Sequence, residues 1–174
     1  MFSGKTEEAI RRARRAMIAR QRIVAFKHAS DKRYDLVQIA SHGGTKLMAI
    51  PVDDATQMET HIRKGTRVIV IDEAQFFGND LVEFVIRHRD AGRRIIVSGL
   101  NMDFTRRPFG GPMPMIMAVA NEISVQAAVC TVCSGPAHFS QRLSPSRALK
   151  VVGERKDYAA RCQLHHDPNP LAEE

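Results

Sequence analysis

The chain has 174 residues, a formal charge of +7, 44% apolar residues and three cysteines. That length suits one domain, or one domain with a small satellite, and is enough to bury a core of ordinary size. No apolar run approaches the roughly 20 residues of a bilayer helix, and the apolar content is that of a globular chain, so neither a membrane protein nor a disordered one is expected.

Gly4, Lys5 and Thr6 supply the second half of the phosphate-binding pattern G-x-x-x-x-G-K-[ST], in which backbone N–H groups and a helix N-terminus converge on one anion. The first glycine of that pattern would fall two residues before Met1. The expectation is therefore a phosphate loop whose opening strand lies upstream of this start, with activity and stability impaired in the chain as given. Over residues 6–21, Ala9, Ile10, Ala13, Ala16 and Met17 recur at helical spacing and predict an amphipathic helix. Much of the positive charge sits here, in Arg11, Arg12, Arg14, Arg15, Arg20 and Arg22. A solvated helix face accounts for such a run, and a basic balance also suits polyanions, nucleotides and nucleic acid alike. Glu7 and Glu8 argue against a mitochondrial presequence and no secretory signal is visible, so a cytoplasmic protein is expected.

Residues 23–26 read as a short buried strand, and residues 28–51 as loops with two short strand-like runs. A helix is expected over 53–64, a β-branched strand over 67–71, a helix over 80–90 and a second apolar strand over 94–98. Dense valine and isoleucine suit parallel strands buried on both faces, and the alternation predicts an α/β fold with a mostly parallel sheet flanked by helices. Near Val125 the character changes to cysteine, proline and serine, which divides the chain into residues 1–124 and a small second unit, 125–174.

Three groups of residues carry chemistry. The strand over 67–71 runs into Asp72-Glu73, which places two carboxylates at the C-terminal edge of a parallel sheet, where ligands sit in open α/β folds. A strand-end aspartate of this kind holds Mg²⁺ beside the hydroxyl of the phosphate loop, so Thr6 and Asp72 are natural partners. Glu73 is either a second charge at that metal or a general base on an attacking hydroxyl. Cys130-x-x-Cys133 and Cys162-x-x-His165 can wrap one tetrahedral Zn²⁺, and four protein ligands leave no position open for catalysis. His166 is an alternative to His165, which is preferred for its symmetric spacing. Finally, Asp31-Lys-Arg33-Tyr and Phe104-Thr-Arg-Arg-Pro-Phe-Gly-Gly place charge and aromatics in loops that could meet phosphates or a base, although solvated charge and packed aromatics explain each alone.

Taken in order, MFSGKT, SDKRYD, SHGG, VIVIDEAQFF, GLNMDFTRRPFG, CTVC, FSQRL and VGERKDYAARCQLHH resemble the zinc-containing thymidine kinases over nearly the whole chain. The resemblance implies a RecA-like P-loop domain with a zinc-bearing lasso domain, and transfer of the ATP γ-phosphate to the 5′-hydroxyl of thymidine. It puts Met1, Phe2, Ser3, Gly4, Lys5 and Thr6 around the phosphates, with Asp31, Arg33 and the run Asp72, Glu73, Ala74, Gln75 on the cofactor side. It makes Thr6 and Asp72 the Mg²⁺ residues and Glu73 the base. Phe76, Leu100, Phe104, Ser140, Val151, Gly153 and Tyr158 fall where the family encloses the nucleoside. It also implies ATP, Mg²⁺ and structural Zn²⁺ as cofactors, a homotetramer, and no nucleic-acid or membrane partner. Two other readings of the residues stand beside it: a truncated, inactive relative of those kinases, and a nucleic-acid-binding P-loop ATPase, since DEAQ also resembles a helicase motif.

Overall fold

The computed structural model describes residues 2–31, 38–40, 46–144 and 157–168. Its centre is a parallel sheet of four strands in the order β4-β1-β5-β6, formed by β1 (Arg22–His28), β4 (Ile50–Val52), β5 (Thr66–Asp72) and β6 (Arg94–Val97). A short antiparallel pair, β2 (Gln38–Ala40) and β3 (Lys46–Met48), stands apart from it. Helices α1 (Lys5–Ile18), α2 (Ala55–His61), α3 (Asp80–Asp90) and α4 (Met113–Val119) cover the sheet.

The β5 sequence TRVIVID explains why this strand is interior: after Arg67 every residue is buried. Side chains alternate across a strand with period two. Val68 and Val70 accordingly pack with Ala9, Ile10 and Ala13 of α1. Ile69 and Ile71 pack instead with Met58 of α2, Leu81 and Phe84 of α3, and Met113 of α4. Both faces are thus closed by helices, as a parallel sheet requires.

The expected helix over 80–90 spans those residues, whereas the other two are shorter than their periodicity predicts. Helix α1 stops at Ile18 because Arg20 turns left-handed (φ 56°), closing the helix with bonds from Arg20 N–H to Met17 O and Gln21 N–H to Ala16 O at 2.9 and 3.0 Å. Helix α2 starts later than residue 53 because the Asp54 side chain caps it, accepting from Gln57 N–H at 2.8 Å. Helix α4 is not among the helices expected from the sequence; Pro112 and Pro114 occupy its start, where a missing N–H costs nothing.

Beyond residue 127 the structure is a set of two-stranded pieces. β7 (Ala128–Val129) pairs with β8 (Pro136–Ala137), and β9 (Phe139–Arg142) pairs with β10 (Tyr158–Arg161), both antiparallel. Their core is small, made of Ala128, Cys130, Ala137 and Ala160, with Phe2 and Cys162 packed against it. So little apolar area holds a fold poorly without a further staple. Among the described residues no helix is long and apolar enough to cross a membrane.

Candidate active site

Gly4 lies just ahead of α1 in the left-handed region (φ 79°), and its carbonyl accepts the first helical bond from Glu8 N–H at 3.0 Å. Lys5 and Thr6 are thereby the first helical residues, at the end where free N–H groups and the helix dipole favour an anion. The Thr6 hydroxyl donates to Asp72 Oδ2 at 3.4 Å, so the loop and the end of β5 meet as the sequence pairing predicts. Asp72 is buried at the end of an interior strand with Glu73 next to it. Burial first, and then the Glu73 charge, push its pKa up to about 6.

Glu73 is held at φ 53°, a conformation that a residue with a Cβ rarely adopts and that clusters at working sites. Gln75, fully buried, connects it to the next strand: the amide Nε2 donates to Glu73 Oε2 while Oε1 accepts from Leu100 N–H at 3.0 Å. Gly99 makes room for this bridge, since a Cβ there would lie 2.7 Å from Met113 Sδ and 2.9 Å from Gln75 Oε1. Ala74 N–H donates to Ser98 O at 2.9 Å, a second tie between the same two strand ends. Asp31 is buried just past β1, whose Lys27 is in register with Asp72. Phe76 is half-buried, its ring 6.0 Å from the His28 ring.

The predicted nucleoside residues fall into two groups. Leu100 and Ser140 line a 370 Å³ cavity together with Ser3, Lys5 and Asp103. Phe104 and Tyr158 instead flank Arg142, whose guanidinium carbon lies 4.1 Å from the Phe104 ring centre and 5.0 Å from that of Tyr158. Arg142 is 1% exposed and is absent from the sequence reading, although it sits in the quoted FSQRL stretch. Its only signal was a cation two residues from Ser140, which does not distinguish a buried stack from a solvated side chain. Asp103 is also missing from that reading; its Oδ1 accepts from Thr105 N–H, Thr105 Oγ1 and Arg107 N–H at 2.8, 2.7 and 3.1 Å, which fixes the turn that presents Phe104. Met1, Arg33, Val151 and Gly153 lie outside the described residues.

The two cysteine-bearing pairs converge. Ligand atoms of Cys130, Cys133, Cys162 and His165 all lie within 4.8 Å of one another. Cys133 Sγ and Cys162 Sγ are 3.8 Å apart, and His165 Nδ1 is 3.8 Å from Cys130 Sγ and 3.2 Å from Cys162 Sγ. A tetrahedron with metal–sulfur bonds of about 2.3 Å has edges of about 3.8 Å, so the donor set fits Zn²⁺. Burial works to raise the Cys130 thiol, but the N–H groups of Cys133, Cys162 and Val132 outweigh it and bring its pKa to about 5, as a thiolate ligand needs. His165 is the histidine in the cluster. His166 turns away into a buried position, where its Nδ1 accepts from Arg106 Nε at 3.0 Å.

A family model for thymidine kinase matches residues 1–166. The chain is also similar to the thymidine kinase of Bdellovibrio bacteriovorus, with 44% identity over 168 residues that span 97% of this chain and 82% of that relative.

Proposed function

The chain belongs to the thymidine kinase family, and from that premise we propose that it transfers the γ-phosphate of ATP to the 5′-hydroxyl of thymidine, giving dTMP and ADP. The observation that carries this reading is the meeting of Thr6 with Asp72 at 3.4 Å beside the strained Glu73. A hydroxyl at a helix start and two adjacent carboxylates at one sheet edge support a phosphate-loop, metal-type and base-type reading of these residues.

In this reading Gly4, Lys5 and Thr6 hold the phosphate chain at the start of α1, Lys5 as a point charge and the backbone as donors. Thr6 and Asp72 are the residues that would hold Mg²⁺, which supplies charge neutralisation of the phosphates when bound. Glu73 takes the proton from the 5′-hydroxyl as its oxygen bonds to the γ-phosphorus and the bond to the ADP oxygen breaks. Gln75 is a positioning residue, since its bridge to Leu100 N–H orients the Glu73 carboxylate. Leu100, Phe104, Ser140 and Tyr158 are proposed to enclose the nucleoside. Residues 125–174 are proposed as the lasso unit, with Cys130, Cys133, Cys162 and His165 holding a structural Zn²⁺ away from the reaction. A homotetramer in the cytoplasm is the assembly the resemblance supports.

The inactive-relative and nucleic-acid ATPase readings are less well supported, because one family match spans the phosphate loop, DEAQ and the cysteine pairs together. The test is ATP-dependent phosphorylation of labelled thymidine by the purified protein and by Glu73→Gln. Wild type is expected to turn over and Glu73→Gln to lose about 10²–10⁴ in kcat with its fold intact. A fully active Glu73→Gln protein would remove Glu73 as the base, and a wild type inert toward thymidine would overturn the proposal.

A further inference from the structure

The opposite end of the sheet, where the strands begin, carries a second concentration of charge. Arg20 closes α1, Arg22 opens β1, Arg67 is the second residue of β5 and Arg94 opens β6. Together with Gln21, Gly65 and Gly92 they line one depression of 570 Å³. Arg67 and Asp72 lie five residues apart on one strand, so this depression is about 16 Å from the phosphate loop's metal-type carboxylate.

Some arginines elsewhere are paired with carboxylates. Arg11 and Arg12 pair with Glu8, Arg12 also with Glu122, Arg87 with Glu59 and Arg89 with Asp90. Among the described residues none of the four arginines of the depression pairs with a carboxylate. The acid whose titration registers Arg94 is Glu122, and it is already paired with Arg12 at 2.8 Å. Helices α1, α2 and α3 all end near this edge, and their C-termini offset part of the arginine charge.

Two of these arginines sit at defined backbone positions. Arg20 occupies the left-handed closing position that glycine ordinarily takes, at φ 56°. Arg22 lies across Gly65, where a Cβ would come 3.2 Å from its Nη1, and that nitrogen donates to Lys64 O at 3.4 Å. All four arginines are exposed and border this one depression.

We propose that this depression is a second anion site, separate from the phosphate loop, that binds a small multivalent phosphate, either a free phosphate chain or the triphosphate of a nucleotide. Guanidinium forks match phosphate oxygens two at a time, and a triphosphate carries the charge the site lacks. A nucleic-acid strand binds along a longer track of charge, and the experiment below separates it from a small phosphate.

The experiment is calorimetric titration of inorganic tripolyphosphate, without added metal, into full-length Lys5→Ala protein, which lacks the point charge of the phosphate loop. The same titration is run on Lys5→Ala carrying Arg22→Gln and Arg67→Gln, since Arg94 also lines the cavity that holds Lys5. Binding is expected in the first protein and a loss of about tenfold or more in the second, with Arg22→Lys/Arg67→Lys retaining part of the affinity and so excluding misfolding as the cause. A nucleoside triphosphate titrated in parallel identifies the source. Affinity equal to that of tripolyphosphate assigns the site to the phosphate chain, and tighter binding to a whole nucleotide, both in support. The proposal is overturned if Lys5→Ala takes up no tripolyphosphate, if the arginine substitutions leave its affinity unchanged, or if a short single-stranded oligonucleotide is the only anion whose binding they reduce.

Discussion

Arg106 is tied to His166 twice, Nε donating to the ring Nδ1 at 3.0 Å and Nη2 to the carbonyl oxygen at 2.6 Å. Nη2 also donates to Gln163 O at 3.1 Å, and the guanidinium carbon lies 4.8 Å from the centre of the Phe139 ring. Burial and the neighbouring Arg106 lower the His166 pKa, which keeps the imidazole neutral and its Nδ1 able to accept. The turn that presents Phe104 is thus fastened to the residue next to the metal-type His165.

Arg106→Ala should therefore loosen the thymidine side of the site while leaving the phosphate loop in place. Hydrogen bonds from a charged donor contribute about 1.5–3 kcal/mol each and do not add fully, so a loss of about 2 kcal/mol is expected, roughly thirtyfold in thymidine KM. Steady-state kinetics with each substrate varied in turn checks this. An equal rise in the ATP KM would mean a general loss of structure instead.

Metal removal should act unevenly over the molecule. Among the described residues the apolar cluster beyond residue 127 is Ala128, Cys130, Ala137 and Ala160, whereas the sheet is covered on both faces. Structural zinc in small domains contributes on the order of 10 kcal/mol to the folded state. Chelation, or Cys162→Ser, should abolish amide protection over 128–142 and 158–166 and preserve it in β5. Hydrogen exchange read by mass spectrometry separates this from a uniform loss, which would show that the cluster is not a local staple.

The parallel sheet was legible because β-branched runs such as 67–71 have one comfortable environment, a strand with both faces covered. The cysteine pairs were legible for a similar reason, since x₂ spacing brings two ligands to one ion. Helix ends were harder to read. A left-handed Arg20 and a capping Asp54 are local conformational choices that hydrophobic spacing does not register. Arg142 and Arg106 were hidden because a cation stacked on a ring and a cation in solvent are written with the same letter; only the pairing of β9 with β10 and the turn at Asp103 bring them to their partners.

Gly99→Ala should lower both stability and turnover. The added methyl would meet Met113 Sδ, which can swing aside, and Gln75 Oε1, which is fixed in a buried bond to Leu100 N–H. Displacing the amide releases its other end from Glu73. Overpacking of this kind costs about 1–3 kcal/mol. Chemical denaturation should show that loss, with kcat falling more than thymidine KM rises. A variant with wild-type stability and kcat would mean that the Gln75 bridge does not position Glu73.

Asp72→Asn should abolish activity yet stabilise the metal-free protein in a pH-dependent way. The pKa of Asp72 rises from 3.8 to about 6 on folding, so the folded state binds this proton more tightly than the unfolded one. Stability from the group is fully present below the unfolded value and is lost as pH rises through the folded value, between 3.8 and about 6. At neutral pH the buried charge costs the metal-free fold up to about 3 kcal/mol, and asparagine removes that cost while keeping the shape. Denaturant unfolding in EDTA should find the variant more stable than wild type by about 1–3 kcal/mol at pH 7.5 and by much less at pH 4. Added Mg²⁺ should narrow the gap at pH 7.5, because only the wild-type carboxylate gains a partner. A gap that is the same at both pH values would show that titration of Asp72 is not its source.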